Sequence, residues 1–410
     1  MRKKILRLFL GILCTMSLTG CRTDKDTDIE DPQPSKVDLV VWGAEEDTEL
    51  MAQIIQSFKT EYQGQADFQI TFEVQGEAQC KDALLGGLEE GADVFTFADD
   101  QLNALAAAGA LDPIKNIDAI RSRNLSGAVE AASVNDQLYA YPLTTDNGYF
   151  LYYNKQYITE EQVKTLDGIL EAAAANEKLF IMDWSSAWYV YSFFGNTGLK
   201  VGLNDDGLTN FCTWNQTDGE IRGVDVAQAM LRIAESPGFA SGTDEEFLKG
   251  VKDGTVIAGV SGVWNSVAVT EDWGDDAGAA KMPTYSCNGS QIQMASFSGC
   301  KLIGVNAYSQ HPEWASKLAE WITNEENQRL RFQMRGQSPS NITVADSAEI
   351  SQSPAIAALL EQSEFSQLQQ IGGKFWDPVS KFAGSMATGN PSGQNIQEQL
   401  DEMVEGICAR

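Results

Sequence analysis

Apolar residues return along this chain with two different periods. Val37, Leu39, Val40, Val41 and Trp42 form an apolar run, which predicts a buried strand with Trp42 in the core. Over residues 45–62 the apolar positions Leu50, Met51, Ile54, Ile55, Phe58 and Tyr62 fall on one helical face. Phe68, Ile70, Phe72 and Val74 then alternate, the period of a strand. Residues 79–90 predict a helix, 93–97 a strand, and 101–108 a helix closed by Gly109. This strand–helix order, repeated three times, predicts an α/β layer on a mostly parallel sheet. Ligands of such sheets lie beyond the carboxyl ends of strands. Those ends fall here near residues 42–47 and 97–101.

The remainder predicts strands at 138–143, 149–154, 180–182, 256–260 and 301–305. Helices are predicted at 159–176, 224–235, 314–323, 355–360 and 396–407. The stretch 184–195 is crowded with aromatics, and 204–219 is polar and reads as a loop or hairpin. No internal repeat is seen. The chain has 410 residues, enough for two packed domains.

The first twenty residues are of a different kind. Arg2, Lys3, Lys4 and Arg7 precede an apolar stretch too short to span a bilayer, followed by Leu18-Thr19-Gly20-Cys21. The pattern is similar to a bacterial lipobox, which makes residues 1–20 a signal peptide and Cys21 the lipidated residue. Residues 21–36 carry no apolar period and read as a flexible tether. The mature protein is then expected on the outer face of a membrane, anchored by lipid.

Charge narrows the partners. Lys+Arg number 29 against 58 Asp+Glu, for a net charge of −29. Such a surface repels phosphate backbones, so nucleic acid is not an expected partner. Five cysteines follow Cys21, none spaced as C-x-x-C, which leaves no zinc ribbon or redox motif. Cys287 and Cys300 are candidates for a disulfide, with simple burial as the alternative. The one histidine, His311, precedes Pro312 at a helix start, and Asn204-Asp205-Asp206-Gly207 lacks the spacing of a calcium loop. No metal or other cofactor is expected.

Several blocks in order carry a resemblance. They are Val40-Val41-Trp42-Gly43 with Glu45-Glu46-Asp47, Ala92-Asp93-Val94-Phe95 with Phe97-Ala98-Asp99-Asp100, and Ala140-Tyr141-Pro142-Leu143 with Asp146 and Tyr152-Tyr153-Asn154-Lys155. Gly262-Val263-Trp264, Gly304-Val305-Asn306 and Phe375-Trp376-Asp377-Pro378-Val379 follow. Across nearly all of residues 37–410 the chain resembles the extracellular solute-binding proteins of the maltose-binding type, and most of all the maltodextrin- and cyclodextrin-binding lipoproteins of Gram-positive bacteria. The resemblance implies a two-lobed periplasmic-binding-protein-like α/β fold with a hinge between two discontinuous lobes. One lobe would take 37–143 plus 299–345, the other 147–294 plus 350–410. The hinge would run near 144–146, 295–298 and 342–350. It also implies a monomer that captures an oligosaccharide, a maltodextrin in the first instance, and delivers it to ABC permease subunits.

A sugar asks for flat apolar surfaces against its C–H faces and for polar partners around its rim. A buried hydroxyl without a partner costs about 1–3 kcal/mol, and carboxylates accept strongly from hydroxyls. The resemblance carries these roles onto Glu46 and Asp47 after the first strand, and onto Phe97 where the family has a stacking tryptophan. It carries them also onto Asp100, Asp146 beside the hinge, Trp188, Tyr191, Trp264 and Trp376. Two family arginines are replaced, by Gln101 and Ser380. Phe97 reads equally well as core, and the acidic residues 45–47 as favouring a helix N-terminus. A reading from a different class is a secreted glycoside hydrolase, with Asp100 and Asp146 as its two carboxylates; within binding proteins, the alternative is another oligosaccharide.

Overall fold

In the computed structural model, which describes residues 35–409, the first apolar run becomes the strand Lys36–Gly43. The signal-peptide and lipidation readings lie outside the described residues, as does the tether read at 21–36 except for its last two residues, of which Lys36 already opens the strand. The strand is followed by a 3-10 turn Glu45–Asp47, the helix Thr48–Glu61 and the strand Asp67–Val74. A five-stranded sheet runs in the order Asp67–Val74, Lys36–Gly43, Val94–Ala98, Lys301–Val305, Ala140–Thr144. The first three strands are parallel, and the last two pair antiparallel. Four of the five strands thus run in one direction, as the opening pattern predicts, and only Lys301–Val305 runs against them. Trp42 is half-buried at this sheet, where its Nε1 donates to Glu73 Oε2 at 3.1 Å.

A second five-stranded sheet has the order Phe239–Ser241, Leu179–Met182, Val256–Ser261, Phe150–Asn154, Ala277–Ala280. It too is parallel on one side and antiparallel on the other. Successive residues of a strand face opposite sides. Tyr149 and Leu151 accordingly enter one core with Phe180, Trp184 and Trp214, while Phe150 and Tyr152 enter another with Phe247 and Ile356. The first sheet has its own core, around Val41, Phe58, Phe95 and Leu302. Two sheets with separate cores make two lobes.

The chain passes between the lobes three times. It leaves the first sheet after Ala140–Thr144 and enters the second at Phe150–Asn154; it returns between Ser296–Ser298 and Lys301–Val305. It crosses again after the helix Glu325–Arg335, since Ile350, Ala355 and Ile356 belong to a core of the second lobe. The crossing segments bind one another: Thr145 N donates to Ser338 O at 3.0 Å and Asn147 N to Gly299 O at 3.2 Å. The helix Glu325–Arg335 places Leu330 and Met334 against the first core and Phe332 against the core of Phe150 and Tyr152.

Cys287 and Cys300 are both free thiols. They belong to the cores of different lobes, which is why the disulfide considered for them does not form. The 204–219 stretch is the hairpin Val201–Leu203 with Asn210–Cys212, turned at Gly207 with φ +67° and tied by Asp206 Oδ1 to Leu208 N and Thr209 N.

Candidate functional site

The strand ends of both sheets face one cleft of about 710 Å³ between the lobes. From the first lobe come Glu46 and Asp47 in the turn after Lys36–Gly43, and Asp100 in the turn Asp99–Gln101 after Val94–Ala98. The second lobe supplies Trp188 on the helix Ala187–Phe194, Trp264 in the turn Val263–Asn265 after Val256–Ser261, and Trp376 opening the helix Trp376–Ala387. All three indoles are half-buried. Trp188 and Trp264 lie 5.8 Å apart between ring centroids, tilted by 34°.

Two of the indoles are held by hydrogen bonds from their own nitrogens. Trp264 Nε1 donates to Asp244 Oδ2 at 2.9 Å, and the same carboxylate accepts from Ser261 Oγ at 2.8 Å and Tyr189 Oη at 3.2 Å. Asp244 is delivered by a capping box: Thr243 caps the helix Asp244–Asp253, and Glu246 Oε2 accepts from Thr243 N at 2.9 Å. Gly262 has a steric role, because a Cβ there would lie 2.0 Å from the Trp264 ring. Trp188 Nε1 donates to Gln369 Oε1 at 2.6 Å, an oxygen that also accepts from Asn147 Nδ2 at 3.3 Å. The Gln369 side chain also acts on the Asp100 carboxyl from across the cleft.

Carboxylates outnumber cations along the cleft. Lys301 stands in its floor, paired with Glu77 at 2.7 Å, its Nζ 5.4 Å from the centre of the Trp264 ring. Burial pushes the Asp100 carboxyl up to about 7, against hydrogen bonding from Gln369 and the charge of Lys81, which act to lower it. Oδ1 of Asp100 is buried and has no partner among the described residues. Burial works to raise Asp47, but Arg331 and the nearby Lys301 and Arg335 outweigh it and hold that carboxyl below its ordinary value. Burial raises Asp244.

The sequence-predicted residues divide. Glu46, Asp47, Asp100, Trp188, Trp264 and Trp376 all line the cleft. Asp47 does so as half of a buried ion pair with Arg331. Phe97 is a correction: it is fully buried beside Phe95, because both faces of its central strand are covered. Tyr191 is also withdrawn from the cleft, stacked 4.1 Å from Phe297 with its hydroxyl on Gln367. Asp146 is fully buried among the crossing segments, accepting from Ser338 N at 2.6 Å, and does not line the cleft. The two arginine replacements have structural duties instead. Gln101 binds Lys81 N and Glu77 O, each at 2.8 Å, and Ser380 Oγ accepts from Ala187 N at 3.1 Å. Asp244, Gln369 and Lys301 were missed by sequence reasoning. Asp244 carries only the signal of a helix start, and Gln369 carries none.

Residues 53–358 match the family of bacterial extracellular solute-binding proteins. The chain belongs to that family. This solute-binding protein is 25% identical over 420 aligned residues to the galactooligosaccharide-binding protein of Bacillus subtilis (strain 168), covering 99% of this chain and 97% of the relative. It is 25% identical to the maltodextrin-binding protein MdxE of the same organism, covering 88% and 86%. A solved structure with acarbose superposes with a TM-score of 0.80 at 25% identity, covering 91% of this chain and 99% of that one.

Proposed function

We propose that this chain is the extracellular oligosaccharide-capturing component of an ABC importer, with a maltodextrin as its first ligand. The observation that carries the reading is the cleft itself. Indoles from the second lobe face carboxylates from the first across a space of about 710 Å³. The indoles cover the C–H faces of pyranose rings, and Glu46 and Asp100 accept from their hydroxyls. Closure of the lobes completes the contacts, a hinge motion about the crossing segments. Cys21 anchors the mature protein by lipid, and the permease docks on both lobes of a monomer.

Both named relatives, described as binding a galactooligosaccharide and a maltodextrin, support an oligosaccharide. The first aligns over 99% of this chain, which favours a galacto-oligosaccharide as the second reading. Titration calorimetry with maltose, maltotriose, longer maltodextrins and galacto-oligosaccharides separates the two. Saturable heat with the glucans alone supports the first reading, and with the galactans alone the second. Heat with neither sinks both. Capture without chemistry also predicts that maltoheptaose stays intact on long incubation; shorter products in proportion to protein would make the chain a hydrolase.

A further inference from the structure

Lys301 reaches the cleft by a route that the ends of strands do not reveal, because it opens a strand. Ligands of parallel strands gather at the carboxyl ends. The strand Lys301–Val305 runs against its neighbours, so its first residue stands at that same edge, opposite Ala98 of the strand Val94–Ala98. On its other side the register against Ala140–Thr144 shifts between Lys301 and Leu302. Such an irregularity re-aims a side chain. Leu302 enters the first core, and Lys301 lines the cleft.

Lysine is seldom buried unless its charge is paired. Burial works against the charge of Lys301, but the carboxylates of Glu77, Asp146 and Asp47 outweigh it and raise the ammonium above its ordinary value. An ammonium carries three donors. One serves Glu77 at 2.7 Å, the one hydrogen-bond partner of Lys301 among the described residues, and the group lies 5.4 Å from the centre of the Trp264 ring. Other donors of the cleft are engaged. The indole N–H groups of Trp188 and Trp264 go to Gln369 and Asp244, Lys81 faces Asp82 at 3.3 Å, and Arg335 Nε donates to Asp47 at 3.3 Å. A sugar hydroxyl is donor and acceptor at once, and carboxylates answer only its donor side. We propose that Lys301 is a specificity-determining residue, which donates to an oxygen of the pyranose ring that covers Trp264 while Glu77 accepts from the adjacent hydroxyl. The pair then reads two neighbouring hydroxyl groups of one sugar unit. The inference rests on the oligosaccharide reading of the cleft and adds the polar couple that tells one sugar from another there.

Titration calorimetry on the full chain tests it with maltotriose, β-1,4-galactotriose and the monodeoxy analogues of each. Lys301→Met is combined with Glu77→Gln, so that no carboxylate is left without its cation. The double variant is expected to bind the trisaccharide about tenfold more weakly or worse. Two analogues lacking hydroxyls at adjacent carbons of one ring should bind the parent about tenfold more weakly than the complete sugar. The variant should bind these two and the complete sugar alike, which a purely structural role for the pair would not produce. Unchanged affinity, or a loss of the same factor for every sugar, overturns the proposal. A crystal structure of the parent with the bound trisaccharide decides independently of how the variant folds. Nζ of Lys301 bonded to an oxygen of the ring on Trp264 supports the proposal, and Nζ beyond hydrogen-bond reach of every sugar oxygen overturns it. Failure of both trisaccharides to bind counts against the reading of the cleft and takes this inference with it.

Discussion

The indole nitrogen of Trp264 donates to Oδ2 of Asp244 across 2.9 Å, and these two residues come from separate elements of the same lobe. The bond fixes the plane of the indole in the cleft. Asp244 is also the shared acceptor for Ser261 and Tyr189, so one carboxylate orients a ring, a strand end and a buried phenol.

Asp244→Ala should therefore act on binding and folding together. It leaves the Trp264 N–H and the Tyr189 hydroxyl without their acceptor, a cost of about 1–3 kcal/mol in stability. Urea unfolding reads that loss, and calorimetry should show weaker sugar binding. Unchanged affinity in the folded variant would mean that Trp264 does not need this bond.

Trp264→Ala and Trp376→Ala are each expected to weaken oligosaccharide binding by about tenfold or more, as aromatic anchors do. Fluorescence or calorimetric titration measures it. Full affinity in both folded variants would remove the two indoles from the site.

Gly262→Ala isolates geometry from chemistry. The methyl group would sit where the Trp264 ring now lies, so the ring must swing out of its place. The indole is still present, yet affinity should fall nearly as far as in Trp264→Ala. A crystal structure of the variant with the ring unmoved would contradict the account.

This glycine also shows what the sequence can and cannot tell. Gly262-Val263-Trp264 stood out because a glycine and a tryptophan follow an apolar strand, and the structure does place Trp264 at the cleft. Phe97 carried the right residue type in the right block, but its strand is covered on both faces, so the side chain has no route to the cleft. Tyr191 follows Trp188 by three residues on one short helix, yet Phe297 stacks on its ring and takes it away. Helix and strand placement is local and therefore visible in the period of apolar residues. Which face meets the other lobe depends on contacts far away in sequence. Gln369 joins Trp188 and Asn147 across such distances, and no local pattern marks it.

Arg331→Ala should be among the most destabilising single changes. Arg331 and Asp47 form an ion pair with side chains only 3% and 5% exposed, and Arg331 Nη1 also donates to Gln337 Oε1 at 2.7 Å. Removing Arg331 leaves the buried Asp47 with only Arg335, whose Nε is 3.3 Å from Oδ1, and breaking a buried pair costs up to about 3–5 kcal/mol. Chemical denaturation measures this. A loss below about 1 kcal/mol would show the pair to be solvated as an exposed one is.

Asp99 supplies a pH dependence. Burial, reinforced by the charge of Asp100, pushes its carboxyl from 3.8 up to about 8. The folded state thus holds this proton more tightly than the unfolded chain does. Its contribution to stability is complete below pH 3.8, declines as the pH rises, and is lost above about pH 8. Asp99→Asn is neutral at every pH and escapes that decline. Its stability relative to the parent should therefore be greater at about pH 8 than at about pH 5. Melting curves of both proteins at the two values decide the matter, and a constant difference would refute it.

The helix Glu325–Arg335 gives the molecule something like an axle. Leu330 and Met334 are seated in one half and Phe332 in the other, so any change in the angle between the halves would have to repack this helix. On the proposed capture of a sugar by closing lobes, a repacked Phe332, which does not line the cleft, is expected to alter the speed of capture and release more than the affinity.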